Sequence, residues 1–171
     1  IKSCKLEKQT KFYQASSSEM FGNINKSKIN ETDRFEPLSP YASSKLYSYW
    51  LTKNYRDSYK IFASNGILFN HESPLRGETF VSRKVTINVA KRFCGKKEIL
   101  YLGNIYSKRD WGHARDYVEA MWKILQQKKP DDFVIATNNT YTVKQLVNEA
   151  FKNINIKIKW TGKGIKEKGI D

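Results

Sequence analysis

The chain has 171 residues, of which 39% are hydrophobic and 13% aromatic, enough for a globular core and too apolar for a disordered tail. Thirty-one Lys and Arg face 17 acidic residues, a formal charge of +14, the balance of a protein that meets polyanions. The basic residues are dispersed, with the densest stretches at 96–97, 128–129 and 157–168 where turns and solvated edges are expected. No zinc-ligand spacing, basic zipper or RNA-binding signature accompanies them, so small phosphorylated ligands are expected rather than nucleic acid.

In chain order, 11–16 (KFYQAS) is a short β-prone run that predicts a strand, ending in a polar loop at Ser16-Ser17-Ser18-Glu19. Ser39-Pro40 supplies an N-cap and a first-turn proline for a helix over 41–59, with Leu46, Trp50 and Leu51 among its apolar positions. A strand is expected over 61–69. Val81, Val85, Val89 and Phe93 then recur every four residues before Gly95, which predicts a second helix. A strand over 98–102 precedes a third helix with Val118, Met121, Trp122 and Leu125 as its apolar stripe, and another strand is expected over 132–137. Thr142 with Gln145 makes a capping box for a helix carrying Val143, Leu146, Val147, Ala150 and Phe151, followed by a strand over 156–160 and an unfinished polar loop over 162–171. Strands alternating with helices predict an α/β fold. Cys4 and Cys94 are far apart and in no Cys-x-x-Cys pair, so neither a disulfide framework nor a metal site is expected, and a reducing cytoplasm is the expected setting. No apolar run approaches the roughly 18 residues of a membrane span, so no membrane partner is expected. Because Ile1 is not Met, the chain is expected to start inside a longer gene product or to have been trimmed.

Tyr41-Ala-Ser-Ser-Lys45 is the sharpest chemical signal: positions i and i+4 share a helical face, and a cation beside a phenol favours the ionised form that a base acting on a sugar hydroxyl needs. A Tyr four residues before a Lys occurs by chance in many helices. Here, however, Ser17 stands 24 residues earlier at the carboxyl end of an expected strand, where open α/β sheets bind ligands. Hydroxyl, phenol and ammonium in this order resemble the catalytic set of the extended short-chain dehydrogenases. The blocks FYQASSSEMFG (12–22), SPYASSKLYSYW (39–50), NGILFNHESP (65–74) and KRDWGHARDYVEAMW (108–122) narrow the likeness: the chain is similar to the GDP-mannose 4,6-dehydratases from about Lys11 to Asp171.

The resemblance implies a partial Rossmann-like, doubly wound parallel sheet plus part of a smaller C-terminal substrate-binding region. Residues 1–75 would be the second half of the NADP-binding domain, and 76–171 a mixture of substrate-binding and sheet-completing segments. It implies a cycle in which NADP takes hydride from C4 of GDP-mannose, water leaves across C5 and C6, and hydride returns to C6. Tyr41 would be the base at the C4 hydroxyl, Lys45 would hold the nicotinamide ribose, Ser17 would bond the reacting oxygen and Glu19 would remove the C5 proton. Ser18, expected among the substrate-binding residues, fills the place that thymidine-sugar dehydratases give to Asp. His71 and Arg76 would belong to the NADP site; Asn70, Lys84 and Arg109 would meet the GDP moiety. Val81 either lines the same pocket or, by its helical spacing, belongs to the core. The full-length protein is expected to be a homo-oligomer, a dimer or tetramer.

Two departures accompany the likeness. Ser17 stands where the family usually has Thr, and none of the nine glycines takes the G-x-G-x-x-G spacing of a pyrophosphate cradle, so the isolated chain is expected to be inactive. The rivals are another nucleotide-sugar dehydratase or a 4-epimerase, which needs no C5 base at Glu19, and a non-catalytic basic binding module.

Overall fold

The computed structural model describes every residue except Asn25 and Ser27. Its elements in chain order are β1 (Lys11–Ser17), α1 (Pro40–Tyr59), β2 (Phe62–Leu68), β3 (Asn70–Glu72), α2 (Val81–Phe93), β4 (Lys108–Arg109) and β5 (Trp111–His113). There follow α3 (Ala114–Gln126), β6 (Asp132–Ile135), β7 (Tyr141–Thr142), α4 (Val143–Lys152), β8 (Lys159–Thr161) and β9 (Lys168–Ile170). They form two compact units, Ile1–His71 with Asp110–Asn139, and Glu72–Arg109 with Thr140–Asp171.

The first unit is built on a parallel sheet in the order β1-β2-β6. Lys11 pairs with Phe62 through to Ser17 with Leu68, and Asn65 with Asp132 through to Leu68 with Ile135. Side chains alternate across a strand. Ser16, Asn65 and Asp132 therefore face α1, while Lys11 lies on the opposite face, where its Nζ donates to the Leu125 carbonyl of α3 at 2.6 Å. Helix α1 begins where the sequence predicts: the Ser39 hydroxyl accepts from the Ala42 N–H at 3.1 Å and Pro40 occupies the first turn. Met20, Phe21, Tyr49 and Ile67 make the buried cluster, with Phe35, Leu46 and Val134 packed on it.

Across this interface lies a buried polar network. The Asp132 carboxylate accepts two bonds from the Arg56 guanidinium, at 2.8 and 2.9 Å, one from the Asn65 amide at 2.8 Å and one from the Tyr49 hydroxyl at 2.9 Å. Arg56 also donates to the Ala63 carbonyl, and the Ser16 hydroxyl donates to the Asn65 side-chain oxygen at 3.1 Å. Burial works to raise the pKa of Asp132, but the donors from Arg56, Asn65 and Tyr49 outweigh it and hold the carboxyl below its ordinary range. Arg56 is raised in turn by its bond to Asp132.

The second unit packs α2 against α4, burying Val85 and Val89 from one and Val143, Val147 and Phe151 from the other. The expected capping box forms: the Gln145 N–H donates to the Thr142 hydroxyl at 3.1 Å and the Thr142 N–H to the Gln145 side-chain Oε1 at 2.7 Å. Strand β4 pairs antiparallel with β7, and β8 with β9.

Several expectations need correction. Residues 98–102 form no strand; side chains of α2 hold them instead, Asn88 at the Glu98 carbonyl and Lys84 at the Tyr101 carbonyl, leaving Ile99 and Tyr101 exposed. The stripe expected on α3 is not the buried one, since Val118 and Trp122 are exposed while Tyr117 and Ile124 carry the core contact. On α1, Trp50 and Leu51 are exposed and the buried positions include Thr52 and Arg56, because the helix meets polar groups of the sheet. The strand expected over 156–160 shortens to β8, and the expected polar loop over 162–171 contains β9, held by Glu167, which accepts from Lys144 at 2.7 Å and from Tyr106 at 2.8 Å. Among the described residues no helix is long and apolar enough to cross a membrane.

Two outcomes are expected. Gly22 sits at φ +64°, and a Cβ there would lie 2.0 Å from the Glu36 carbonyl oxygen, so Gly22→Ala should lower stability to urea by roughly 1–3 kcal/mol. Asp132 has a depressed folded-state pKa, so its contribution is present above the ordinary carboxylate range and lost as pH falls through the folded value. Asp132→Asn should cost about 3–5 kcal/mol at neutral pH, because Arg56 stays buried with only the exposed Asp57 carboxylate, 3.8 Å from its Nε, as counter-ion, and should flatten the acid limb of the melting profile.

Candidate active site

The parallel register sets the site. Ser17 ends β1 opposite Leu68, so Asn70 and His71, just past the end of β2, come to the same carboxyl edge as Ser17, Ser18 and Glu19. After Ser17 the chain turns sharply through a 3₁₀ turn over Ser18–Phe21, in which the Ser17 hydroxyl accepts from the Glu19 N–H at 3.2 Å. Met20 and Phe21 are fully buried and pin this turn, while the Glu19 side chain between them and Ser17 is exposed and Ser18 half-buried. The Glu36 N–H donates to the Met20 carbonyl at 2.9 Å, which ties the turn to the segment that leads into α1.

Tyr41 lies in the first turn of α1 with about half of its surface exposed. Lys45, one turn on, holds its ammonium 5.6 Å from the Tyr41 ring centroid. Its Nζ also donates to the Ala15 carbonyl of β1 at 2.9 Å, two residues before Ser17. One lysine thus links the helix that carries Tyr41 to the strand that ends in Ser17 and leads into Glu19. His71 stacks on Tyr117 with ring centroids 4.7 Å apart, and its Nδ1 donates to the Phe69 carbonyl at 2.9 Å, since a carbonyl can only accept. Tyr117 is buried with an unpartnered hydroxyl, and burial pushes its pKa up to about 12.

The other sequence-predicted residues lie in the second unit. Arg76 is half-buried, with its Nε 3.2 Å from a Glu72 carboxylate oxygen and its guanidinium 3.6 Å from the Phe80 ring centroid. Glu72 also accepts from the Ser82 hydroxyl. Val81 opens α2 half-buried; Lys84 donates to the Tyr101 carbonyl at 2.7 Å; Arg109 is exposed and donates to the carbonyl of Lys108. Lys84 and Arg109, expected near the GDP moiety, thus each bond to a backbone carbonyl, and Arg76, expected at the NADP site, is ion-paired with Glu72.

Two features escape the sequence reading. Asp110, buried, accepts from the Thr137 N–H at 3.0 Å and from its hydroxyl at 2.9 Å, fastening the loop after β6 at the carboxyl edge of the sheet. The Asp132 network is the other. Both join residues far apart in the chain, and no local spacing marks them.

The family model of GDP-mannose 4,6-dehydratase matches residues 1–171. The chain is 59% identical over 169 residues to the GDP-mannose 4,6-dehydratase of Dictyostelium discoideum, covering 99% of the chain and 48% of that protein. It is 51% identical to the Homo sapiens enzyme of that name, covering 99% and 45%. Among solved structures, RMD from Pseudomonas aeruginosa complexed with NADPH aligns at TM-score 0.76 and 22% identity, over 80% of this chain and 48% of that one. The dTDP-glucose 4,6-dehydratase of Bacillus anthracis in complex with NAD gives 0.76 and 24%, over 85% and 46%. These two likenesses carry the fold, an α/β Rossmann-type parallel sheet. The chain spans less than half the length of the curated relatives it matches, and, with a family match along its whole length, it belongs to the GDP-mannose 4,6-dehydratase family.

Proposed function

We propose that this chain carries the catalytic residues of a GDP-mannose 4,6-dehydratase, a hydro-lyase that makes GDP-4-keto-6-deoxymannose with NADP as its cofactor. Family membership supports the reaction class, and the Lys45 bond to the Ala15 carbonyl is the observation that carries the assignment of residues. It brings the Tyr41–Lys45 face of α1 against the strand that ends in Ser17 and leads into Glu19.

The residues fit the nicotinamide end of the cofactor: an exposed tyrosine, a half-buried lysine and a half-buried histidine lie on elements of one sheet edge. Bound NADP supplies a hydride acceptor that later returns the hydride. The chain's own groups do the proton chemistry. Tyr41 takes the proton of the sugar C4 hydroxyl, and the Lys45 charge favours the phenolate. Ser17 hydrogen-bonds the C4 oxygen as it becomes a carbonyl. That carbonyl acidifies the C5 proton, and Glu19, exposed on its pinned turn, is the carboxylate that removes it and gives it to the departing C6 hydroxyl, which leaves as water. Asn70 and His71 flank the substrate diphosphate and the cofactor. Lys84 and Arg109 exchange their present backbone carbonyls for phosphate oxygens, a charge-assisted bond that outcompetes a neutral carbonyl, and Arg76 belongs with His71 to the cofactor. The same reading takes GDP-mannose as substrate, the cytoplasm as setting and a homo-oligomer as working form.

In the full-length polypeptide, Tyr41→Phe should lower turnover of GDP-mannose by about 10²–10⁴-fold, the size of a lost general base. Wild-type turnover in that variant would remove Tyr41 from the mechanism. Glu19→Gln should bind substrate and cofactor yet lose exchange of the C5 proton with deuterated solvent; exchange at the wild-type rate would exclude Glu19 as the base. The 171 residues alone, lacking a glycine-rich pyrophosphate cradle, should show no dehydratase activity and very weak binding in calorimetric titration with NADP; micromolar affinity with product formation would contradict this.

A further inference from the structure

A buried ion pair adds little net stability over a well-packed apolar pair, so the question is what else the one between Arg56 and Asp132 supplies. Both side chains are more than nine-tenths buried, and the carboxylate is saturated by four donors that come from α1 and β2 and converge on the first residue of β6. Tyr49 and Arg56 stand on α1 one and three turns beyond Lys45, on the same side of the helix. The helix is therefore fastened to the sheet at two separated points. Lys45 is bonded to the Ala15 carbonyl of β1, and the Tyr49–Arg56 pair to Asp132.

One fastening would leave the helix free to rotate about it or to slip. A shift of one residue along a helix axis is about 1.5 Å with a turn of about 100°. Misplacing a catalytic group by about 1 Å can cost on the order of 10²-fold in rate. The bidentate fork of Arg56 tolerates neither motion, since both of its N–H···O bonds must be kept. The network also runs on from Asp132 through Asn65 to Ser16, the residue before Ser17. Helix and strand end are thus referenced to one carboxylate.

We propose that the Arg56–Asp132 pair, with Tyr49 and Asn65, is a positioning clamp that fixes the rotation and height of α1, and so the placement of Tyr41 and Lys45 against Ser17. Arg56 and Asp132 are positioning residues, because neither reaches the carboxyl edge of the sheet. The inference rests on the roles proposed above for Tyr41, Lys45 and Ser17.

The test uses the full-length enzyme with two substitutions that keep charge and volume close to native, Arg56→Lys and Tyr49→Phe. Arg56→Lys should lower kcat by tenfold or more and Tyr49→Phe by a few-fold, with KM for GDP-mannose within twofold of wild type and a melting transition that stays cooperative. In protein labelled with 3-fluorotyrosine, the Tyr41 resonance, assigned by its loss in Tyr41→Phe, should move or broaden in both variants. Folded variants with wild-type kcat and an unmoved Tyr41 resonance would overturn the clamp, as would a loss seen only in KM. If Arg56→Lys does not fold, Tyr49→Phe decides by the same criteria. A wild-type enzyme inactive on GDP-mannose would sink the proposed function instead, and the Tyr41 resonance in Tyr49→Phe would then decide the clamp: moved supports it, unmoved overturns it.

Discussion

A carboxylate cannot be taken out of water without donors to replace the water, and the first unit is arranged around that constraint at Asp132. Arg56 satisfies it with both arms of the guanidinium, Tyr49 and Asn65 complete it, and each comes from an element that must then stay in place. The α1 helix accordingly turns a partly polar face to the sheet, with Thr52 and Arg56 buried while Trp50 and Leu51 remain exposed. Hydrophobic burial around Met20, Phe21 and Ile67 supplies the cohesion; the polar network selects one arrangement among those that cohesion alone allows.

The candidate site follows from strand register more than from any single contact. Because Ser17 is opposite Leu68, the polar residues that follow each strand, Ser18 and Glu19 on one side and Asn70 and His71 on the other, emerge at one edge. Gly22 permits the turn that brings Glu19 out to solvent, with the chain returning past Glu36 to the Ser39 cap of α1. Lys45 then spans from the helix to the strand. The first turns of α1, with Tyr41 and Lys45, are thereby held against the strand that ends in Ser17 and leads into Glu19.

How much of this was legible in the sequence divides along physical lines. Local rules reported faithfully: Ser39-Pro40 and the Thr142–Gln145 box marked their helices because caps satisfy N–H groups within three residues. The Tyr41–Lys45 pair was visible for the same reason, being set by helical spacing. Periodicity failed where two apolar faces competed, so that Val118 and Trp122 read as the core of α3 although Tyr117 and Ile124 are buried. It failed again at 98–102, where an apolar run has no neighbouring strand to pair with among the described residues. The Asp132 network was beyond reach, since Arg56 and Asp132 are 76 residues apart and a charged residue in a helix reads as a solvated one. Arg76, Lys84 and Arg109 were legible as cations but not as cations already held by Glu72 and by backbone carbonyls.

The most direct test of the account follows a hydrogen rather than a rate. GDP-mannose deuterated at C4 of the mannose ring should give, with the full-length enzyme, a 4-keto-6-deoxy product that carries the deuterium at C6, read by mass spectrometry and NMR. Deuterium retained at C4 with inverted configuration would make the protein an epimerase, and deuterium lost to solvent would break the proposed coupling of oxidation, elimination and hydride return.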